Sequence, residues 1–131
     1  MEEKASGQLQ ETKLRAKLGK RAVIAEDLGL LTEGVRKLVK DSGFPNMKVI
    51  QFAFDAADIG GTNEYLPHNY TNNCVVYTGT HDNETLAGWY AGLSKAGKQQ
   101  LRDYICNQEI PDAEMYKALL NLTMHAVAKD C

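Results

Sequence analysis

The sequence predicts an α/β fold in which short strands of a parallel sheet alternate with helices. Three apolar runs with β-branched or aromatic residues are the predicted buried strands, at residues 22–25, 47–54 and 74–78. Helix-forming stretches precede, separate and follow them. Because strands that alternate with helices pair in parallel, the carboxyl ends of the three strands are expected at one edge of the sheet.

Capping residues locate the predicted helices. A first helix is expected over residues 2–20. Thr32 has the position of an N-cap for a second helix, and Gly43 has the position of its C-terminal glycine. Ser94 and Asp112 are predicted to cap later helices in the same way. The helices that follow the third strand are expected at residues 85–93, 95–106 and 112–129.

A loop of nineteen residues, 55–73, separates the second and third predicted strands and is rich in Gly, Asn, Asp and Pro. Loops of this length within a compact domain are usually functional or disordered. No Gly-rich phosphate-binding fingerprint follows any of the strands, so the sequence gives little support to a nucleotide-binding fold.

Composition excludes several kinds of partner. The 15 basic and 17 acidic residues give a net charge of −2, which argues against binding to nucleic acid or to an acidic membrane surface. No apolar stretch approaches the roughly 20 residues that a membrane span requires. The three cysteines form no C-x-x-C pair, which favours a reducing compartment, and we expect a cytoplasmic protein.

The first candidate for chemistry is Glu26, which follows the predicted strand 22–25. At a strand end its carboxyl would enter a half-desolvated site, and burial of that kind raises a carboxyl pKa toward the range of a general acid. Glu26 could instead only cap the following loop. The neighbouring Asp27 is expected to fix the turn through hydrogen bonds to backbone groups.

The second candidate is the run His81-Asp82-Asn83, which follows the third predicted strand. A carboxylate beside a neutral imidazole and an amide offers acceptors and donors to the hydroxyls of a sugar. Gly79, just upstream, permits unusual backbone angles or the close approach of a ligand. The alternative is a polar loop that caps the helix at Thr85.

Two further readings involve metals and aromatic rings. His68, His81 and Asp82 could bind a metal, but no H-x-H or H-x-x-x-H spacing supports such a site, and no metal or other cofactor is expected. Four aromatic residues could stack on sugar rings: Phe52, Phe54, Tyr65 and Tyr70. Of these, Phe52 and Phe54 share one face of the predicted strand at a period of two. Core packing is the competing interpretation for at least one of them.

Four motifs in order resemble the amylomaltase family, the disproportionating 4-α-glucanotransferases of the α-amylase clan. They are I-A-E-D-L-G at 24–29, F-P-N-M-K-V-I-Q-F-A-F at 44–54, Y-L-P-H-N-Y at 65–70 and Y-T-G-T-H-D-N at 77–83. The resemblance implies a partial (β/α)8 barrel (a TIM barrel), with strands five to seven and their flanking helices in one segment over 1–131. It also implies α-1,4-glucans and maltooligosaccharides as substrates.

The same resemblance implies roles for individual residues. Glu26 would be the general acid/base, and Asp82 the carboxylate that stabilises the transition state, with His81 as its neighbouring donor. Asn83, Phe52 and Asp55 are expected at substrate-binding positions.

The sequence departs from the family at the nucleophile, which belongs to an R-x-D-H type motif that these residues lack. We therefore expect a fragment with negligible transferase activity, and self-association through its open strand edges. Two other functions remain open: a non-catalytic glucan-binding or structural remnant, and a metal-dependent hydrolase.

Overall fold

The computed structural model describes residues 12–54 and 61–128. The chain divides into two compact units, residues 1–47 and residues 48–131. None of the described helices combines the length and the apolar character that crossing a membrane would require.

The described part of the first unit contains two helices. Residues 12–18 belong to helix α1, and Glu33–Ser42 form helix α2. The hydroxyl of Thr32 accepts a hydrogen bond from the backbone N–H of Val35, and Gly43 ends α2 with a φ of 67°. Both predicted caps are thus confirmed, because each follows from local backbone chemistry.

The predicted buried strand at 22–25 is wrong in extent and in burial. Only Ala25 pairs with a neighbouring segment, through a parallel bridge to Asn46. Ile24 remains 44% exposed. A parallel strand becomes buried when it has neighbours on both edges and layers on both faces. Among the described residues, Ala25 has this one bridging partner.

Strands β1, Asn46–Val49, and β2, Cys74–Tyr77, are neighbours in a small parallel sheet. The prediction of β2 is confirmed, but the strand predicted over 47–54 ends at Val49. The chain then turns into a short 3-10 helix, Ile50–Phe52. An apolar run fits either kind of buried segment, so periodicity could not distinguish them.

This turn separates the two phenylalanines that were predicted to share a strand face. Phe54 is only 3% exposed and lies in the core of the second unit, where its ring centroid is 5.5 Å from Tyr104 and 6.4 Å from Trp89. Phe52 is half-buried. Core packing is therefore confirmed for Phe54.

Three helices complete the second unit: α3, Leu86–Gly92; α4, Lys95–Tyr104; and α5, Met115–Met124. Helix α4 begins at the predicted cap, since the hydroxyl of Ser94 accepts from the N–H of Gly97. Leu101, Met115 and Leu119 are fully buried, so the helices enclose one apolar core.

The predicted cap of the last helix is wrong. Asp112 lies in a 3-10 turn, Asp112–Glu114, and makes no capping hydrogen bond. Its carboxylate instead accepts from the Tyr90 hydroxyl at 2.7 Å and from Arg102 at 2.6 Å. The bond from the guanidinium carries a charge on both partners, which makes it one of the strong hydrogen bonds of proteins. Helix α5 also ends at Met124, before the predicted end at residue 129, which lies outside the described residues.

Candidate functional site

A tight turn follows strand β2 and contains three of the predicted site residues. The side-chain oxygen of Asn83 accepts two hydrogen bonds of 2.8 Å, one from the backbone N–H and one from the hydroxyl of Thr80. The backbone N–H of Asn83 donates in turn to the carbonyl of Thr80 at 3.1 Å. The turn is thus closed by its own first and last residues.

His81 and Asp82 form the tip of this turn. Their side chains are 89% and 81% exposed, and His81 Nε2 lies 3.2 Å from Asp82 Oδ1. The N–H of Asp82 donates to the hydroxyl of Thr80 at 3.3 Å, which fixes the backbone below the carboxylate. The tip therefore exposes an imidazole and a carboxylate side by side.

Asn83 stabilises the turn, in addition to its predicted role in substrate binding. Its side-chain oxygen accepts both hydrogen bonds from Thr80, so this oxygen is not available to a sugar. Its assignment to substrate binding remains a prediction.

Sequence reasoning missed the residue that supports this turn. Gln51 is 7% exposed, and its side-chain amide donates to the carbonyl of Glu84 at 2.9 Å. A Cβ atom added to Gly79 would lie 2.7 Å from Gln51 Nε2. Gly79 was expected to permit unusual backbone angles or the close approach of a ligand, and in the structure it makes room for a neighbouring side chain. The sequence does contain a signal for this role, since Gln51 is a polar residue within the apolar run 47–54.

Glu26 belongs to the first unit and is exposed. The expectation of a half-desolvated carboxyl is therefore wrong for this chain, since the preceding segment makes only the bridge at Ala25. Its neighbour Asp27 fixes the backbone, as expected. The carboxylate of Asp27 accepts a hydrogen bond of 2.9 Å from the N–H of Met47.

Phe52 lies beside a second aromatic residue that the sequence also singled out. Its ring meets Tyr65 edge to face, with centroids 5.3 Å apart. The ammonium of Lys48 lies 5.3 Å from the Tyr65 ring centroid and 3.0 Å from a carboxylate oxygen of Glu64. The side chain of Lys48 is only 7% exposed, so this ion pair holds the Tyr65 segment against β1.

His68, the metal-ligand candidate of the long loop, has protein partners at both ring nitrogens. Nδ1 lies 3.0 Å from the Tyr104 hydroxyl, and Nε2 lies 2.9 Å from the carbonyl oxygen of Gly61. Within residues 12–54 and 61–128, no three His, Cys, Asp or Glu side chains are grouped to hold a metal ion. Asp55 lies outside the described residues.

The structure thus brings His81, Asp82 and Asn83 together in one turn. Phe52 is in the same unit, next to Tyr65, and Glu26 is in the other unit.

Comparison with known proteins gives consistent results. A family profile described as 4-alpha-glucanotransferase matches residues 2–131. The chain is similar to the 4-alpha-glucanotransferase of Clostridium butyricum, at 50% identity over 92 residues, which are 70% of this chain and 18% of that protein. It is also similar to the 4-alpha-glucanotransferase of Thermus thermophilus, at 41% identity over 131 residues, covering 96% of this chain and 26% of that protein.

A solved structure is similar as well. It is the amylomaltase of Streptococcus agalactiae in complex with acarbose, with a TM-score of 0.82 and 33% identity over 95% of this chain and 24% of that one. The chain therefore spans only about a fifth to a quarter of the length of the proteins it matches.

Proposed function

This chain belongs to the 4-alpha-glucanotransferase family, and we propose that it supplies part of the catalytic site of such an enzyme. The reaction cleaves an α-1,4-glucan, holds the donor segment covalently and transfers it to the 4-hydroxyl of an acceptor glucan or glucose. The observation that carries the proposal is the similarity to an amylomaltase over 95% of this chain, with a TM-score of 0.82. Starch, glycogen and maltodextrins contain the required linkage.

The proposed fold is a segment of a (β/α)8 barrel. In one barrel segment over 1–131, the bridge at Ala25, β1 and β2 would correspond to strands five, six and seven. The parallel bridge between Ala25 and Asn46 and the pairing of β1 with β2 support this order. Residues that follow barrel strands are the ones that act on substrate, which agrees with the positions of Glu26 and Asp82.

Glu26 is the proposed general acid/base. It would protonate the oxygen of the leaving glucan and then deprotonate the acceptor hydroxyl. Its exposure leaves the carboxyl accessible to a substrate, and the contact between Asp27 and Met47 fixes the backbone next to it.

Asp82 is proposed to stabilise the oxocarbenium-like transition state through the hydroxyls of the sugar. The adjacent imidazole of His81 supplies a donor at the same tip. Asn83, Phe52 and Asp55 complete the proposed substrate contacts. The edge-to-face pair of Phe52 and Tyr65 supports an aromatic surface for a sugar ring.

A retaining reaction also needs a nucleophilic carboxylate about 5–5.5 Å from the acid/base. The R-x-D-H type motif that would carry it does not occur in these residues. We therefore predict negligible disproportionation of maltotriose by the 131-residue chain alone.

A chimera tests the proposed roles. Residues 1–131 would replace the matching segment of the Thermus thermophilus relative, and glucose release from maltotriose would be measured. We expect an active chimera in which Glu26→Gln or Asp82→Asn lowers kcat/KM by about 10²–10⁴-fold.

Matched variants of exposed acidic residues serve as controls. Glu109→Gln and Asp41→Asn should leave the activity of the chimera within about twofold. If Glu26→Gln or Asp82→Asn behaved like these controls, the proposed roles would be wrong.

Titration of the chain itself with maltooligosaccharides distinguishes a glucan-binding segment from a purely structural one. Binding without turnover is the expected result, and Asp82→Asn should weaken it. A wild-type chain that binds no maltooligosaccharide would exclude the glucan-binding role.

Two properties of the whole molecule remain proposals. We expect self-association through the open strand edges, because an edge strand presents unpaired backbone N–H and C=O groups to another chain. A single monomeric species in sedimentation at high concentration would contradict it.

A cytoplasmic location is predicted from the cysteines, whereas a similar protein of Solanum tuberosum is named chloroplastic/amyloplastic.

A further inference from the structure

Gln51 is a buried polar side chain that the proposed reaction does not use. It lies in the 3-10 turn Ile50–Phe52, immediately after strand β1, and is 7% exposed. Its amide donates to the backbone carbonyl of Glu84 at 2.9 Å, across 33 residues of sequence. A buried amide donor needs such a partner, because an unsatisfied one costs about 1–3 kcal/mol.

The same side chain also contacts the other end of the turn after β2. A Cβ atom at Gly79 would lie 2.7 Å from Gln51 Nε2 and 3.2 Å from its Cδ. Gly79 has no positive φ, so its backbone conformation does not require a glycine. A glycine is required because a side chain at this position would collide with Gln51. Any larger residue would displace the Gln51 amide from its path to Glu84.

Gln51 is therefore hydrogen-bonded to one end of the segment that carries Asp82, at Glu84, and lies close against its other end, at Gly79. Between Gly79 and Glu84, the hydrogen bonds of Thr80 and Asn83 close the turn. This closed turn fixes the backbone of Asp82, and the buried amide of Gln51 supports the turn at its two ends.

We propose that Gln51 is a positioning residue for Asp82. It acts through the backbone of residues 79–84 and need not touch the substrate. The functional meaning of this positioning rests on the role proposed for Asp82 in glucan transfer.

Amide hydrogen exchange of the 131-residue chain, followed by NMR, tests the proposal. Gln51→Met retains the length of the side chain and removes the donor. Gly79→Ala leaves the donor and displaces it. In both variants the amides of Thr80 and Asn83 should exchange at least about tenfold faster than in the wild type.

Reference amides separate positioning from a general effect on stability. The N–H groups of Leu93 and Ile105 donate to Tyr90 and Leu101 within the helical part of the unit. Their exchange rates should change less than about twofold. Equal acceleration at all four amides, or none at Thr80 and Asn83, would overturn the proposal.

Gly92→Ala is the matched control for Gly79→Ala. A Cβ atom at Gly92 meets nothing within 4 Å, so this variant should leave the exchange of Thr80 and Asn83 unchanged. If it accelerated them as Gly79→Ala does, the contact with Gln51 would not be the cause.

Maltotriose titration connects the turn to the proposed function. Gln51→Met should bind maltotriose more weakly than the wild type, in the same direction as Asp82→Asn. Because hydrogen exchange needs no glucan, it decides the role of Gln51 independently. Absence of binding by the wild type would contradict only the proposed function.

Discussion

The carboxylate of Asp27 accepts a hydrogen bond of 2.9 Å from the backbone N–H of Met47. The contact spans twenty residues and ties the residue after Glu26 to strand β1. Together with the bridge between Ala25 and Asn46, it holds the end of the segment that carries the proposed acid/base.

Loss of this acceptor should destabilise the chain. Asp27→Ala removes the partner of the Met47 N–H, and we expect the free energy of unfolding to fall by about 1–2 kcal/mol. Asp27→Asn retains an acceptor oxygen and should cost less than half as much. Urea unfolding followed by circular dichroism measures both. Equal losses in the two variants would show that charge matters rather than the hydrogen bond.

The two phenylalanines after β1 should differ in their contribution to stability. Phe54 is 3% exposed and contacts Trp89 and Tyr104, so Phe54→Ala should cost about 3–5 kcal/mol. Phe52 is half-buried, and Phe52→Ala should cost clearly less while weakening glucan binding. Unfolding followed by Trp89 fluorescence compares them. A larger loss from Phe52→Ala would contradict the assignment of Phe54 to the core.

The cluster of Tyr90, Arg102 and Asp112 should make stability depend on pH. The hydrogen bond from Tyr90, followed by that from Arg102, lowers the pKa of Asp112. A carboxylate whose pKa is lower in the folded state stabilises the fold above its unfolded pKa of about 4. This contribution is lost as the pH falls through the folded-state pKa.

The same group should respond at high pH in the opposite sense. Burial, followed by the hydrogen bond to Asp112, raises the pKa of Tyr90. The neutral phenol therefore stabilises the fold below its unfolded pKa of about 10, and that contribution is lost as the pH rises through the folded-state pKa.

Thermal unfolding of the wild type and of Asp112→Asn checks the acidic side. The variant should have the lower Tm at pH 7, and the difference should shrink as the pH falls below about 4. Asp41→Asn, an exposed control on α2, should show a smaller difference at pH 7. A Tm difference for Asp112→Asn that is constant from pH 7 to pH 3 would argue against an ionised partner for Tyr90 and Arg102.

Local backbone chemistry made much of the fold predictable. The caps at Thr32 and Ser94, and the glycine at position 43, follow from groups within a few residues of each helix end. Strand β2 is likewise a short β-branched run with clear limits.

The sequence predictions failed where residues that are distant in the sequence determine the local structure. Asp112 has the sequence of a helix cap, but it is bound by a hydroxyl from α3 and a guanidinium from α4. The contact between Gln51 and Gly79 likewise joins residues about thirty positions apart in the sequence. The motif positions of Glu26 and Asp82 could be read from the sequence, but the support of the turn that carries Asp82 could not.

The central claim is that Glu26 is the acid/base and that Asp82 stabilises the transition state. The most direct test compares two donor substrates whose leaving groups differ in their need for protonation. Fluoride departs without protonation, so cleavage of α-maltosyl fluoride needs no general acid. In the chimera, Glu26→Gln should therefore release the first equivalent of fluoride within about tenfold of the parent rate, and lose about 10²–10⁴-fold on maltotriose. Asp82→Asn should be slow with both donors. A Glu26→Gln chimera that is equally slow on maltosyl fluoride and on maltotriose would contradict the assignment of Glu26 as the acid/base.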